Sequence, residues 1–111
     1  MSEETAKYEV VAVCESPKPC KADLFRDLTK KMADTYEAKN KDYGDSFGIS
    51  VRKYGKISAL TRISDKFNRA ENLILNREER QVNDESLIDT LGDLAAYCIM
   101  TIIEIENESK D

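Results

Sequence analysis

Apolar residues recur at three- and four-residue spacing in three long segments of the chain, and this spacing predicts helices. The segments cover about residues 22–40, 57–76 and 85–106. In the second segment the apolar positions fall within an arc of about 80° at 100° per residue, which predicts one core-facing stripe. Its members are Leu60, Ile63, Phe67, Ala70 and Ile74. The pattern therefore predicts an all-α fold, a bundle of three to four helices.

The third segment is apolar on almost every side. A broad face carries Leu87, Leu91, Leu94, Ala95, Cys98, Ile99, Ile102 and Ile105, and further apolar groups on other sides are Ala96, Met100 and Ile103. A helix of this kind is buried by several neighbours. Three or four helices in 111 residues cannot easily surround it. We therefore expect a homodimer or homotetramer built on this long C-terminal helix.

Residues 1–21 differ in pattern from the rest of the chain. Residues 8–14 form a short apolar piece interrupted by Glu9, and Pro17 and Pro19 follow. The apolar piece favours a short strand or an extended arm, which the prolines end because each fixes φ and lacks an N–H. An arm lying across a partner subunit and a disordered tail are both compatible with this pattern. We expect the helical domain itself to cover residues 22–111.

The connections between the helices are predicted from their turn residues. Residues 39–48 contain two glycines and several Asn and Asp residues, which favour a loop. We expect a short helical turn over residues 47–54 and a polar connection over residues 76–83. Asp84 is then the expected N-cap of the last helix.

Charge and composition exclude several classes of function. The net charge is −5 and the pI is about 4.9, whereas a general binder of duplex nucleic acid needs a basic face. A nucleotide ligand is still permitted. The chain contains no His, which excludes Ser-His-Asp triads, Cys-His nucleophiles and His-ligated zinc within it.

The cysteines and the hydropathy pattern indicate a cytoplasmic protein. Cys14, Cys20 and Cys98 form no Cys-x-x-Cys pair, so we expect reduced thiols instead of a disulfide framework or a zinc site. No segment has the features of a signal peptide, and no uninterrupted apolar stretch approaches roughly 18 residues. We therefore expect no membrane partner.

Asp89 and Asp93 are candidate metal ligands on the last helix. They are four residues apart and therefore lie on one face, where their like charges repel each other. A divalent cation would offset this repulsion, and Mg²⁺ prefers carboxylate oxygens. Basic side chains on a neighbouring helix, such as Arg62 or Arg69, are the structural alternative. Asp65 becomes the third metal ligand if its helix packs antiparallel to the last one.

The segment over residues 39–44 is a candidate phosphate-binding and base-binding site. It brings together the ammonium groups of Lys39 and Lys41, the ring of Tyr43 and a flexible glycine. Ammonium groups neutralise phosphates, and an aromatic face can stack on a base whose edge Asn40 could contact. A solvated turn with a packed tyrosine explains the same residues. Arg62 and Arg69 supply further cations for a triphosphate.

Four short motifs together resemble the nucleotide modification associated domain type 1 family, whose members are small proteins common in bacteriophages and bacteria. The motifs are Lys-Asp-Tyr-Gly at 41–44, Arg-Ile-Ser-Asp-Lys-Phe-Asn-Arg at 62–69, Asp-Glu-Ser-Leu at 84–87 and Asp-Thr-Leu-Gly-Asp-Leu-Ala-Ala-Tyr at 89–97. The resemblance covers about residues 22–105. This family is in turn similar to the MazG-like all-α nucleoside triphosphate pyrophosphohydrolase superfamily.

The resemblance implies a MazG-like helical bundle that oligomerises and holds a triphosphate at a Mg²⁺ site. MazG-like enzymes hydrolyse the α–β phosphoanhydride of a nucleotide, using Glu-x-x-Glu on one helix and Glu-x-x-Asp on the next. The corresponding segments here are Asp-Lys-Phe-Asn at 65–68 and Thr-Leu-Gly-Asp at 90–93. Asp65 and Asp93 keep a carboxylate, and Asp89 is placed to replace a missing one.

We therefore expect a Mg²⁺-dependent nucleotide pyrophosphohydrolase that converts a canonical or modified (deoxy)nucleoside triphosphate to the monophosphate and pyrophosphate. The expected catalytic and metal-binding residues are Asp65, Asp89 and Asp93. The expected substrate-binding residues are Lys39, Asn40, Lys41, Tyr43, Arg62 and Arg69. The incomplete acidic pattern leaves open a protein that binds or sequesters nucleotides without turnover, encoded by a phage or a bacterium. A structural helical adaptor is the third alternative.

Overall fold

The structure is a computed structural model that describes residues 19–76 and 84–110. This part of the chain forms four helices and no strand: α1 (Lys21–Tyr43), α2 (Ser46–Tyr54), α3 (Lys56–Leu75) and α4 (Asp84–Lys110). The predicted all-α fold is confirmed, whereas the MazG-like arrangement and the oligomer stay predictions. Most of the predicted N-terminal arm and of the predicted polar connection lies outside the described residues.

The predicted loop over residues 39–48 is wrong, because α1 continues to Tyr43 and α2 begins at Ser46. Only Gly44 and Asp45 leave helical geometry, with φ values of 60° and 59°. Glycine reaches this left-handed region at no steric cost, and Asp is among the residues that tolerate it. The Lys and Asn residues before Gly44 are compatible with a helix. The predicted helical turn over residues 47–54 is confirmed as part of α2.

The packing divides the chain into two compact units, Met1–Ala38 and Lys39–Asp111. The described part of the first unit is largely α1, which contains no buried residue. Its apolar positions Leu24, Phe25 and Leu28 are all exposed. The core of the described residues therefore lies in the second unit.

Cys20, immediately before α1, is disulfide-bonded, whereas Cys98 in α4 is a free and exposed thiol. The prediction of reduced thiols is therefore wrong at Cys20 and confirmed at Cys98. An odd number of cysteines permits one pair and one free thiol, and the spacing of cysteines alone does not predict the pairing.

In the second unit, α3 and α4 pack as an antiparallel pair. Lys66 contacts Asp93 and Arg69 contacts Thr90, so later residues of α3 meet earlier residues of α4. Most of the buried side chains of this pair are small. They are Ala59, Ala70, Leu73 and Thr90, all between 1% and 5% exposed. Small residues at the contact let two helices approach each other closely.

The face of α3 that packs on α4 is displaced from the predicted stripe. Leu60, Phe67 and Ile74 belong to the predicted stripe but are 55%, 55% and 54% exposed. The buried or half-buried positions are Ser58, Ala59, Ile63, Lys66, Ala70 and Leu73. Neighbouring residues on a helix point about 100° apart, so a second apolar stripe lies beside the contact face and is uncovered within the chain.

Helix α2 packs against the C-terminal half of α4. The ring centroids of Phe47 and Tyr97 lie 5.7 Å apart, and Val51 is buried. Gly55, with φ 83°, ends α2 by donating its N–H to the Val51 carbonyl oxygen at 2.7 Å. This left-handed φ suits glycine, and it allows α3 to start at the next residue.

Helix α4 is the one helix among the described residues that is long and apolar enough, by length and composition alone, to cross a membrane. The segment is Glu85–Glu108, with a mean hydropathy of 1.5, and 6% of it is buried within the chain. The core helix of a protein in water meets the same criterion. The low buried fraction shows that the rest of the chain leaves most of the apolar surface of α4 uncovered.

Candidate functional site

Charged and polar residues of α3 and α4 meet along one side of the helix pair, which we call the polar side. We define it by Arg62, Lys66 and Arg69 on α3 and by Asp89, Thr90 and Asp93 on α4. The three cations are spaced by four and three residues and so follow one helix face, as do the two aspartates. The antiparallel packing places these two rows beside each other.

An ion pair crosses the polar side between Lys66 and Asp93. The Lys66 Nζ lies 3.1 Å from the Asp93 Oδ2, with side chains 31% and 47% exposed. A pair this accessible to water contributes at most about 1 kcal/mol to stability. The sequence left open whether a metal or a basic side chain offsets the charge of the aspartates. At Asp93 the structure has a basic side chain, contributed by Lys66 and not by Arg62 or Arg69.

Arg69 is held on α4 through the hydroxyl of Thr90. The Arg69 Nε donates to the Thr90 Oγ1 at 3.1 Å, and this hydroxyl donates in turn to the Ser86 carbonyl oxygen at 2.8 Å. Thr90 is 3% exposed, so its hydroxyl is a buried polar group with both a donor and an acceptor partner. The arrangement fixes the guanidinium group at the edge of the polar side. Within the described residues the two terminal guanidinium nitrogens of Arg69 have no partner, so they can bind an anion.

The predicted metal ligands are only partly brought together. Asp89 and Asp93 lie one turn apart on the polar side, whereas Asp65 is exposed on α3 beside Lys66, which faces Asp93 in its place. Across residues 19–76 and 84–110, no group of three or more Asp, Glu or Cys side chains is arranged to hold a metal ion. The three-carboxylate site is therefore not assembled in this part of the chain, and its ligand assignment stays a prediction.

The carboxylates of the polar side do fit a Mg²⁺ ion that is coordinated partly by the phosphates of a bound substrate. Mg²⁺ keeps several waters and is often bound by one or two carboxylates together with substrate phosphates. Asp89 and Asp93 supply two carboxylates, and Arg62 and Arg69 supply cations for phosphates beside them. The residues therefore fit a Mg²⁺ ion that is coordinated jointly by carboxylates and phosphates. They do not fit a Mg²⁺ site made by protein ligands alone.

The predicted substrate-binding residues of α1 do not join the polar side. Lys39, Lys41 and Tyr43 are exposed and Asn40 is half-buried at the C-terminal end of α1. Within the residues described, no hydrogen bond or ion pair links their side chains to α3 or α4. Their assignment to a nucleotide stays a prediction, and they are positioned by a helix instead of the expected loop.

Arg52, which the sequence did not single out, is the centre of a second charged cluster. Its guanidinium group lies 3.3 Å from both Asp45 and Glu104, and the Glu104 side chain is only 10% exposed. A Cβ on Gly48 would lie 2.6 Å from the Asp45 Oδ2 and 2.8 Å from the Glu104 Oε2. A larger residue at this position would require these side-chain ends to move away.

The Arg52 cluster connects α2 to α4 and borders an open cavity of about 700 Å³. Lys56, which also lines this cavity, lies 3.8 Å from Glu108. Because the cations here are already paired with carboxylates, the cluster fits a structural role better than a ligand site. The i, i+7 spacing of Asp45 and Arg52 could have indicated their ion pair from the sequence. The ion pair with Glu104 could not be predicted in this way, because Glu104 lies 52 residues after Arg52.

The comparisons with known proteins identify a family for this part of the chain. The sequence model of nucleotide modification associated domain 1 matches residues 39–105. This range contains α2, α3 and the polar side, and it excludes residues 22–38 of the resemblance. No curated protein and no solved structure shows significant similarity. Since the match covers more than half of the 111 residues, the chain belongs to the nucleotide modification associated domain 1 family.

Proposed function

We propose that the polar side binds the phosphates of a nucleoside triphosphate, and that the chain hydrolyses this nucleotide to the monophosphate and pyrophosphate with Mg²⁺. The observation that carries the proposal is the row of α3 cations facing two α4 carboxylates. Both rows lie inside the range matched by a family described as nucleotide modification associated. We also propose that this chain is related to the MazG-like superfamily.

Arg69 has the clearest role in this proposal. Thr90 holds its Nε, so its terminal nitrogens stay free to donate to a phosphate oxygen without further ordering. Arg62, on the same face and two turns earlier, is exposed and can reach the same polyphosphate. Together the two guanidinium groups offset charge that develops on the leaving pyrophosphate.

The carboxylates Asp89 and Asp93 are the proposed Mg²⁺ ligands, with Asp65 as an outer carboxylate. Bound Mg²⁺ would neutralise phosphate oxygens and lower the pKa of a bound water. Asp93 becomes available when Lys66 leaves it for a phosphate oxygen, an exchange that keeps the ammonium group paired with an anion. Lys66 is exposed enough for this movement.

The remaining predicted contacts complete the proposal. Lys39 and Lys41 are assigned to phosphate, Tyr43 to stacking on the base and Asn40 to the edge of the base. We place the protein in the cytoplasm of a bacterium, or of the host cell if a phage encodes it, as a homodimer or homotetramer. Duplex nucleic acid and membranes are not among its proposed partners.

A second candidate function is nucleotide binding or sequestration without turnover. The ion pair between Lys66 and Asp93 favours it, because an aspartate already neutralised by lysine is a weaker metal ligand. The lack of a three-carboxylate group in the described part of the chain points the same way. Both candidates use the polar side, so they differ only in whether the nucleotide is consumed.

The test is a panel of canonical and modified nucleoside and deoxynucleoside triphosphates, incubated with and without Mg²⁺ and resolved by anion-exchange chromatography. The variants are Asp89→Asn and, as a matched control, Asp34→Asn, an exposed aspartate of α1 that pairs with Lys30. Hydrolysis predicts monophosphate and pyrophosphate from wild type and Asp34→Asn only. Intact nucleotides accompanied by Mg²⁺-dependent binding would establish the second candidate. Neither hydrolysis nor binding would refute both.

A further inference from the structure

The side of the α3–α4 pair opposite the polar side carries two stripes of exposed apolar residues, and we call these stripes the apolar side. On α3 it consists of Leu60, Phe67 and Ile74, and on α4 of Leu91, Ala95, Cys98, Ile102 and Ile105. All of these side chains are exposed within the chain, several by about half. Leu60 and Ile63 line an apolar groove of about 440 Å³ together with Thr101 of α4. The groove lies where the α3 stripe meets α4, next to Ile102 in the sequence.

We propose that the apolar side is the interface between two copies of this chain, with the two α4 helices antiparallel about a two-fold axis near Cys98. This inference specifies the homo-oligomer of the proposed function.

The spacing of the α4 stripe is self-complementary. Its positions alternate between steps of four and three residues, which is the pattern of a helix that packs against another helix. In an antiparallel pair centred on Cys98, Leu91 meets Ile105 of the partner subunit, since each lies seven residues from the centre. Ala95 lies three residues from the centre and Ile102 of the partner subunit lies four, so these two meet with an offset of one residue, about 1.5 Å along the helix. An isologous interface requires each such contact to occur twice, and this stripe meets the requirement with an apolar residue at every layer.

Residue size and charge also fit a second copy. Ala95 and Cys98 are small and occupy the middle of the stripe, where two helices approach each other most closely. No Asp, Glu, Lys or Arg occurs within the stripe, so no charge is desolvated there. The α3 stripe widens the surface beyond a single helix pair.

The available area reaches the minimum expected of a specific interface. Residues 87–105 of α4 span roughly 28 Å at about 1.5 Å per residue, and two adjacent helices are roughly 20 Å wide. The flat area is then roughly 560 Å² per copy, or about 1,100 Å² for the pair. This exceeds the approximately 1,000 Å² expected of a specific interface.

A lipid bilayer fits the same surface less well. Between Asp93 and Glu104, α4 has an uncharged run over residues 94–103 only. At about 1.5 Å per residue this run spans about 15 Å, roughly half of the hydrocarbon thickness of a bilayer. The polar side of the same helix pair would also have to enter the lipid.

The first test is the mass of the full chain in solution without nucleotide or Mg²⁺, measured by light scattering. The variants are Ile102→Asp and Ile103→Asp, adjacent isoleucines that are both exposed and point about 100° apart. We expect wild type and Ile103→Asp at twice the 12.6 kDa of the chain or above, and Ile102→Asp at 12.6 kDa. A monomeric wild type, or an Ile102→Asp protein with unchanged mass, would overturn the proposal.

The second test uses the thiol of Cys98. Mild oxidation with copper-phenanthroline should join two Cys98 thiols of wild type into a disulfide-linked dimer, because the two-fold axis brings them together. Cys98→Ser should abolish the cross-link, and Cys98→Ser combined with Ile103→Cys should not restore it. Equal cross-linking by both thiol positions would contradict the axis, as would binding of the wild-type monomer to phospholipid vesicles. Neither test involves nucleotide, so its failure is separable from failure of the nucleotide proposal.

Discussion

The polar side and the apolar side are two surfaces of the same helix pair. They differ in whether their side chains find partners within one chain. On the polar side, Lys66 and Arg69 find partners on α4 within the chain. On the apolar side, Leu60, Phe67 and Ile102 are 54–55% exposed. A charged group can be satisfied by one partner, whereas an apolar stripe needs an extended matching surface. One chain of this size supplies the former and leaves the latter uncovered, which is the basis of the proposed dimer.

The comparison also separates the two proposed properties. Substitutions on the polar side should change nucleotide binding and leave the assembly intact, and substitutions on the apolar side should do the reverse.

Asp93→Asn should have the largest effect on activity. Loss of the carboxylate removes a proposed Mg²⁺ ligand, and we expect turnover of the nucleotide to fall at least about 100-fold, which corresponds to about 2.7 kcal/mol of transition-state stabilisation. The mass in solution should stay that of wild type. Anion-exchange assay and light scattering on the same preparation measure both quantities. Unchanged turnover would remove Asp93 from the site.

Ile74→Ala should have the next largest effect, on stability. Ile74 belongs to the apolar side, and we expect a loss of about 2 kcal/mol in the free energy of unfolding, at the low end of the range for truncating a buried isoleucine. Leu75→Ala is the matched control, since Leu75 is 72% exposed and lies outside the apolar side. It should change stability by no more than about 0.5 kcal/mol. Urea unfolding at several protein concentrations measures the stability of both variants. Equal losses of stability would mean that no second copy packs on Ile74.

Thr90→Val should lower the free energy of unfolding by about 1 kcal/mol more than Thr101→Val does. Both hydroxyls donate to a carbonyl oxygen four residues earlier, but only Thr90 also accepts a hydrogen bond from another helix. The difference between the two variants therefore isolates the contact with Arg69. Denaturant unfolding gives the difference, and a nucleotide titration should show weaker binding for Thr90→Val alone. If the two variants behave alike, Arg69 does not depend on Thr90.

Lys66→Met should have the smallest effect on stability, at most about 1 kcal/mol, and less at high salt, because the ion pair is accessible to water. Its effect on Mg²⁺ has the opposite sign. Removing the ammonium group frees Asp93, so Mg²⁺ affinity in the absence of nucleotide should rise a few-fold. Isothermal titration measures this affinity. An unchanged or lower affinity would show that the ion pair does not compete with Mg²⁺ for Asp93.

The sequence predicted the helices better than it predicted their contacts. Helix α3 was expected over residues 57–76 and occupies Lys56–Leu75, because its apolar period is regular. The packing face was misplaced because two adjacent stripes of α3 both carry apolar residues, and only tertiary structure decides which one packs within the chain. Lys66 sits on the face used, where its methylene stem can pack while its ammonium group reaches Asp93.

The candidate site was predicted in part for similar reasons. Asp89 and Asp93 follow from spacing along one helix, and their partner row on α3 follows from antiparallel packing. That Lys66 and not Asp65 faces Asp93 depends on a rotation of one residue, which the sequence does not specify. The end of α1 was misread because Asn and Asp are common in turns, although here only Gly44 and Asp45 form the turn.

Nucleotide binding at the polar side is tested most directly by thermal unfolding with each of the eight canonical (deoxy)nucleoside triphosphates and Mg²⁺. Wild type should be stabilised by at least one of them, on the order of 10 °C at about 100 times the dissociation constant, since a ligand that binds only the folded state raises its stability. The Arg62→Met, Arg69→Met double variant should lose this shift. No shift with any nucleotide, or an equal shift in the double variant, would contradict binding at the polar side.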